Sequence, residues 1–328
     1  MPPDPHSSND APVFVGIDVH KIFTMGADAQ DGAYRKITEK RVNLTPDCLA
    51  CFLKQALRVA RLAAPDDRGL HVTVVQDWAA AIAGLDEEGL TQPPTALAAR
   101  LYPRAYAMAG VEDPYAEAKA RANSRVLDML PQLEAVVRGA QDPLRAALNL
   151  SIHGNFIDLG VPGAFDWEAA LDLDEAQCWS TLAHARFAAA VEKQPRVLIL
   201  GDNAGEIAMD TLLVRVLVER GCAVVYAVRG GPIINDATRA DATAVGMERF
   251  CTVVDTGATA PGVLLDRVGE EFRTAFAAAE LVLSKGQGNF ESLHGQAPGA
   301  FYAFKAKCEV VSRLLGVELG DSVFVCDA

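Results

Sequence analysis

Asp202 and Asn203 stand side by side in the stretch RVLILGDNAGEIAMD, residues 196–210. A carboxylate beside a carboxamide offers hard oxygen ligands to a divalent cation and nothing for a soft one. Further along, Lys285 opens KGQGN, residues 285–289. A lysine among glycines supplies a compact positive charge where backbone N–H groups can approach a small anion. Each residue also has a plainer reading, since an Asp after a strand often caps the next helix and most lysines simply face solvent.

The surrounding pattern favours a site. Val197 to Leu200, with Arg196 leading in, reads as a short strand buried on both faces; Gly201 breaks it, and Gly205 opens a helix with Leu212, Leu213, Val216 and Leu217 on one face. Strand and helix then alternate. Ala223–Val228 runs into Arg229-Gly230-Gly231-Pro232 and Asn235-Asp236-Ala237-Thr238, Cys251–Val254 into Asp255-Thr256-Gly257, and Leu281–Leu283 into Ser284-Lys285-Gly286-Gln287-Gly288-Asn289. Phe301–Phe304 ends near Lys305 and Lys307, and Val323–Val325 closes the chain. Such alternation predicts a parallel sheet with covering helices. Its polar, Gly-rich turns then fall on one edge, where two acids, two amides and a lysine converge, and open α/β sheets bind ligands there. No GxxxxGK[ST] or GxGxxG follows the first strand, and GQGN is too short for a dinucleotide fingerprint, which disfavours a nucleotide enzyme.

Ahead of the sheet the chain reads as helices. Thr45-Pro46-Asp47 is a helix start, and the helix continues through CLACFLKQALRVARLAA with Cys48 and Cys51 one turn apart. Thiols at a helix N-terminus can be acidified, or could share a metal, but no second CxxC or nearby His pair completes a zinc site. Helical spacing recurs from Leu70 to Leu150, punctuated by prolines. Within it, Asp113-Pro114-Tyr115 precedes Lys119 and Asn123, which share a helix face and on their own read as solvated charge. In SIHGNFIDLG, residues 151–160, Gly154-Asn155 and Asp158 interrupt an apolar run and read as polar groups entering a cleft wall, while His153 reads as a core histidine. Met1–Pro12 reads as a disordered lead-in, and Val13–Asp18 as a hairpin or extended start.

Composition narrows the class. The 328-residue chain is half hydrophobic and carries a formal charge of −13, from 43 acidic against 30 basic residues. An acidic surface repels phosphate backbones and anionic membranes, so nucleic acid and membrane partners are not expected. No stretch approaches eighteen apolar residues and no signal pattern opens the chain, while the odd count of seven cysteines suits reduced thiols in a cytoplasm. The oligomeric state is not legible.

Together, GDNAGE at 201–206, RGGPIINDAT at 229–238, DTG at 255–257 and KGQGN at 285–289 resemble the metal-dependent damage-control phosphatases, an ARMT-like family once catalogued as domain-of-unknown-function family 89. The resemblance takes in DPY with Lys119 and Asn123, GNFID at 154–158, and the early CxxC, which resembles the stand-alone microbial branch. It implies a three-layer α/β fold with a mostly parallel, Rossmann-like sheet behind a mainly helical N-terminal subdomain. The corresponding division is an extension at 1–45, helices at 46–192, and a metal- and phosphate-binding α/β domain at 193–328. It further implies a divalent metal (Mn, Co, Ni or Mg) on Asp202, Asn203 and Asp236, with Lys285 on substrate phosphate and Asn155 and Asp158 lining the cleft. Glu206, Arg229, Gly230, Asp255 and Asn289 fall in the same motifs and are expected to contact a small phosphorylated metabolite.

The expected activity is metal-dependent hydrolysis of phosphate monoesters, with the metal as Lewis acid and water activator. Water is favoured over a carboxylate as the nucleophile, because no DxD follows the first strand. Two other readings stay open. One is a binding protein for metal or phosphometabolite without turnover. The other is a sugar-phosphate isomerase or transferase, for which Glu206 with Asp255 is the acid/base pair in view.

Overall fold

The computed structural model describes residues 41–154, 178–179 and 181–327. The first helix, α1 (Pro46–Ala63), starts where its sequence predicts, with the Cys48 N–H donating to Thr45 Oγ1. It packs with α2 (Arg68–Ala83) and α4 (Pro94–Ala109), joined through the short α3 (Glu87–Leu90), around Phe52, Val59, Val74, Trp78, Leu101 and Tyr102. Trp78 and Tyr102 meet edge to face with centroids 5.1 Å apart, the arrangement their ring quadrupoles favour. Two further helices, α5 (Ala116–Gly139) and α6 (Pro143–His153), lie outside this cluster and pack on the sheet instead. Packing on the sheet therefore begins upstream of residue 193.

A short strand, β1 (Cys178–Trp179), and α7 (Thr181–Val191) lead into the alternating region. There follow β2 (Arg196–Leu200), α8 (Glu206–Glu219), β3 (Ala223–Val228), α9 (Arg239–Val245), β4 (Thr252–Asp255), α10 (Glu270–Ala278), β5 (Leu281–Lys285), α11 (Gln287–Leu293), β6 (Phe301–Lys305), α12 (Glu309–Leu315) and β7 (Ser322–Cys326). The seven strands order as β1-β7-β6-β5-β2-β3-β4. All pairings are parallel except β6 with β7. The alternation of side chains along β2 sends Val197 and Ile199 to one face, among residues of α5, α6 and α8, and Leu198 and Leu200 to the other, with Phe272 and Phe290. That makes three layers, as expected. The expected hairpin or extended start at Val13–Asp18 lies outside the described residues, and no described helix is long and apolar enough to cross a membrane.

Chain order sets the position of the site. From β2 the chain winds outward through β3 and β4, then returns to place β5 against the other side of β2. The loops after β2 and β5 leave the sheet in opposite senses and open a crevice at its carboxyl edge. Two glycines make the turns there possible. Gly205, at φ +82°, ends the loop after β2, and Gly286, also at φ +82°, follows β5 directly. A Cβ on Gly286 would lie 2.1 Å from Asp202 Cγ, so the β5 turn has room only for hydrogen beneath that carboxylate.

A paired substitution separates these two demands. Gly299 has φ +79° with nothing within 4 Å of a built Cβ. Gly299→Ala should cost about 1–2 kcal/mol, the penalty of the left-handed region alone. Gly286→Ala should add the collision with Asp202 and a backbone at φ +82°, ψ 150° that suits glycine almost alone, and cost at least about 3 kcal/mol. Urea unfolding of the two variants checks this, and equal losses would show that Asp202 moves aside freely.

Candidate active site

The loops after β2 and β3 are sewn together by their backbones. Asn203 and Asp236 form an isolated antiparallel bridge, with the Ala237 N–H on Asp202 O at 2.7 Å and the Ala204 N–H on Asn235 O at 2.8 Å. Asp202, Asn203 and Asp236 are thereby neighbours, and all three are buried. Asn203 Nδ2 donates to Asp202 Oδ2 at 2.8 Å. Arg229 Nε donates to Asp236 Oδ2 at 2.6 Å, and its Nη2 stands 3.6 Å from Asp202 Oδ1. Burial pushes the Asp236 carboxyl up to about 7, against the pull of the Arg229 guanidinium and with the Asp202 carboxylate adding to the rise.

A second buried group adjoins the first across the β2–β5 crevice. The sequence reads Lys285 as a loop lysine beyond a strand ending at Leu283. The strand instead runs through Lys285, whose side chain is fully buried. Its ammonium donates to Ser151 O at 3.1 Å, to Asp210 Oδ1 at 2.9 Å, and to Glu206 Oε1. Asp210 is also held by the hydroxyls of Tyr226 and Ser151. Burial pushes Glu206 up to about 8, opposed by Lys285 and reinforced by Asp202 and Asp210. Burial alone would lower Lys285, but the Asp210 and Glu206 carboxylates hold it above its ordinary value.

The remaining expected contacts divide. Asn289, wholly buried near the start of α11, accepts from Arg229 Nη1 at 2.9 Å and the Val263 N–H at 3.1 Å, and donates to Lys285 O and Gly201 O. Its amide ties the loops together. The Gly230 N–H meets Ala258 O at 3.1 Å and Thr256 Oγ1 at 3.3 Å, where the backbones approach too closely for a side chain. Asp255 is engaged by Arg239 Nε at 2.6 Å and by the Gly257 N–H, so it serves the β4 loop and a surface ion pair with Arg239, not Glu206. Asn155 and Asp158 lie outside the described residues, whereas His153 just before them sits 3.3 Å from Ser322 Oγ, with burial and Lys305 lowering it to about 4. Cys48 and Cys51 are free thiols on α1, engaged with Thr45 Oγ1 and Gln55 Nε2.

Several residues were not read from sequence. Lys119 and Asn123 are not on a solvated face; both are buried, because α5 presses that face onto the loop after β2. Asp210 lies one turn from Glu206 on the mainly apolar α8, a spacing that puts both acids on one face. Glu291, one turn from Gln287 on α11, is pushed to about 7 by burial and, to a lesser degree, by Asp202. Tyr226 and Ser151 gave no local signal.

The charge count at this edge tests whether a cation fits. Among the described residues four buried carboxyls, Asp202, Asp236, Glu206 and Asp210, share the buried cations Arg229 and Lys285, and Lys307 also acts on Asp236. Burial raises Asp236 and Glu206 against ionisation, and a divalent ion beside them would favour their charged forms. Glu206 Oε2 and Arg229 Nη2 are buried there without a hydrogen-bond partner. Among the described residues no group of three His, Cys, Asp or Glu is arranged to hold a metal, so the Asn203 amide oxygen is needed to complete a protein ligand set with Asp202 and Asp236. Two carboxylates and an amide suit a hard or borderline ion and leave positions for water and phosphate oxygens. The residues fit.

The chain is similar to known proteins over most of its length. Residues 44–323 match the model of the damage-control phosphatase ARMT1-like domain. A protein of Archaeoglobus fulgidus named damage-control phosphatase is 35% identical over 297 residues, covering 86% of this chain and 98% of that one. A damage-control phosphatase of Pyrococcus horikoshii is 29% identical over 279 residues, covering 84% and 94%. The crystal structure of a DUF89 family protein from P. horikoshii superposes with a TM-score of 0.78 at 27% identity, over 88% of this chain and all of that one. The chain belongs to the damage-control phosphatase ARMT1-like family.

Proposed function

We propose that this chain is a metal-dependent phosphatase that hydrolyses small phosphorylated metabolites, in the manner of metabolite repair, in a cytoplasmic setting. The observation that carries the reading is the convergence of buried Asp202, Asn203 and Asp236 on two bridged loops, set among glycine turns and across the β2–β5 crevice from a fully buried lysine. The metal would be Mn, Co, Ni or Mg, held by Asp202, Asn203 and Asp236. When bound, it supplies Lewis-acid charge to phosphoryl oxygens and eases deprotonation of water.

The chain's own side chains supply the rest. Asp202 and Asp236 stand at fixed positions on two bridged loops and would hold the ion there. Arg229, clamped by Asp236 and Asn289, directs its unpartnered Nη2 toward Asp202 and is placed to take a non-bridging oxygen. Lys285 has three hydrogens and three protein partners, so a phosphate oxygen joins it only by replacing one. Asp210 is fixed by Tyr226 and Ser151, and Ser151 O is backbone. Glu206 is the exchangeable partner. Burial raises its carboxyl, which weakens its hold on the ammonium and makes it the partner that a phosphate oxygen would replace. Buried, fixed donors of this kind act where charge grows in the transition state.

Titration of metal-stripped protein with Mn²⁺, Co²⁺, Ni²⁺ and Mg²⁺, followed by phosphate release from an aryl phosphate and a panel of phosphometabolites, tests the reading. Asp202→Ala should abolish stoichiometric metal uptake while unfolding remains cooperative; one metal per chain at unchanged affinity would refute the ligand assignment. Metal uptake without phosphate release from any substrate would move the reading to a binding protein.

Lys285→Met keeps the length of the stem and removes the charge. It should lower kcat/KM by ~10²-fold or more, the scale of losing one preorganised donor. It should also cost about 3–5 kcal/mol of stability, because Asp210 loses its buried partner. Wild-type kinetics in the folded, metal-loaded variant would reduce Lys285 to a counter-ion of the core.

The cysteine pair is expected to stand apart from the chemistry, since Cys51 is exposed on α1 and bonds only within its own helix. Cys48→Ser combined with Cys51→Ser should retain most turnover. Loss of turnover at full metal loading would bring α1 into the active centre.

A further inference from the structure

The two loops that carry the proposed metal ligands are gripped from outside the sheet by the helical part of the chain, and one side chain makes the central contact. Asn123, on α5, is buried to 3% exposure. Its Oδ1 accepts the Gly205 N–H at 2.6 Å, at the end of the loop bearing Asp202 and Asn203. Its Nδ2 donates to Asp241 Oδ1 at 2.9 Å, at the start of the helix that follows the Asp236 loop. Asp241 is itself fixed through Oδ2, which accepts the Thr238 N–H at 2.9 Å, the Thr238 hydroxyl at 2.8 Å, and Lys119 Nζ at 3.4 Å. Lys119 is held in turn by Asp113 at 2.8 Å. One carboxamide thus spans both ligand-bearing segments, and every hydrogen-bonding group around it is engaged.

The packing allows little slack. A Cβ on Gly205 would meet Ala122 Cβ at 3.2 Å, so α5 rests directly on the loop. A second clamp from the same helical part holds the other loop: the Ile234 N–H donates to Tyr106 OH at 2.9 Å, Ile234 adopts φ +47°, and Ile233 is buried in the helical core. An Ile in the left-handed region is strained, and strain persists only where the surroundings over-determine it.

We infer that Asn123 is a positioning residue for the metal site, setting the spacing of Asp202–Asn203 against Asp236 through the Gly205–Asn123–Asp241 bridge. It touches neither metal nor substrate in this role. The inference rests on the metal assignment proposed above and adds that metal affinity is encoded partly in the helical part of the chain. Groups that orient metal ligands without binding the ion typically carry a 10–100-fold share of affinity.

An exchange of donor and acceptor tests it. Asn123→Asp still accepts the Gly205 N–H but faces Asp241 carboxylate to carboxylate. Asp241→Asn alone sets two amide NH₂ groups against one another. When the two substitutions are combined, the carboxylate introduced at position 123 accepts from both Gly205 and the new amide at position 241. The oxygen of that amide still receives Thr238 and Lys119, so the bridge is rebuilt with its polarity reversed. Calorimetric titration of metal-stripped full-length protein with Mn²⁺ is the readout, alongside the unfolding midpoint. Each single variant should weaken Mn²⁺ binding by about 10–100-fold, and the pair should recover to within about threefold of wild type. A merely structural role predicts lowered midpoints with unchanged Mn²⁺ affinity in the folded singles, and that result overturns the inference. Failure of the pair to recover affinity overturns it as well. Should a single variant not fold, Asn123→Ser, which removes both contacts at smaller volume, carries the same comparison. Wild-type protein that takes up no Mn²⁺ overturns the metal assignment itself, and this role with it.

Discussion

A cluster of buried acids that shares the buried Arg229 and Lys285 is the constraint from which the rest of the molecule follows. Asp202, Asp236, Glu206 and Asp210 sit in the interior at the end of a parallel sheet, where an uncompensated charge is far costlier than at the surface. Arg229 and Lys285 offset part of that cost from within the chain. Asp236 and Glu206 offset another part by being pushed toward protonation. Such an arrangement is a poor way of stabilising a fold, since well-packed apolar side chains would do better. It accords with the proposed role, in which the site takes up a cation and the anion that such charge attracts.

Several otherwise ordinary features exist because that cluster must be held. Gly286 is a glycine because the Asp202 carboxylate occupies the space of a side chain. Asn289 commits its whole amide to Arg229, Val263, Lys285 and Gly201, which fixes the cation and both loops at once. Tyr226 stands on β3 directly beneath the site, with its hydroxyl on Asp210 and its ring so close to Gly201 that a Cβ there would fall 2.6 Å away. The overall charge of −13 belongs to a chain whose site gathers its buried cations at one edge. An acidic surface and an anion-seeking cleft are compatible, because interior cations act at short range in a low dielectric while surface charges are screened.

The sheet was legible because period and punctuation agree. Buried runs such as Val197–Leu200 and Ala223–Val228, each closed by a polar glycine turn, leave one architecture open, and the convergence of Asp202, Asn203 and Asp236 follows from it. What stayed hidden depends on contacts across long stretches of sequence. Lys119 and Asn123 share a helix face with Glu112 and Arg121 nearby, and nothing local tells a solvated polar face from one pressed onto a distant loop. Lys285 had the same ambiguity in reverse. Its glycine neighbours suggested a loop, but the turn begins only at Gly286, and the lysine beneath it is inside because Asp210 and Glu206 are there to receive it. A buried ion pair is a property of two segments and is written in neither alone.

Contacts of this long-range kind also make the helical part and the sheet act as one body. If α1, α2 and α4 were only a lid, their polar contacts with the sheet loops would sit at a wet rim. Instead, Tyr106 reaches the Ile234 N–H, Ile233 completes the helical core, and α5 sends Asn123 between Gly205 and Asp241. The Tyr106 and Asn123 contacts satisfy polar groups that would otherwise go unpaired, and all of these contacts engage segments that carry or adjoin a proposed ligand. Loops are where a sheet of this type keeps its chemistry and also where it is least rigid. Bracing them from a separately packed set of helices resolves the conflict: the loops stay free of regular structure, as ligand geometry requires, while their backbones are fixed as firmly as strands.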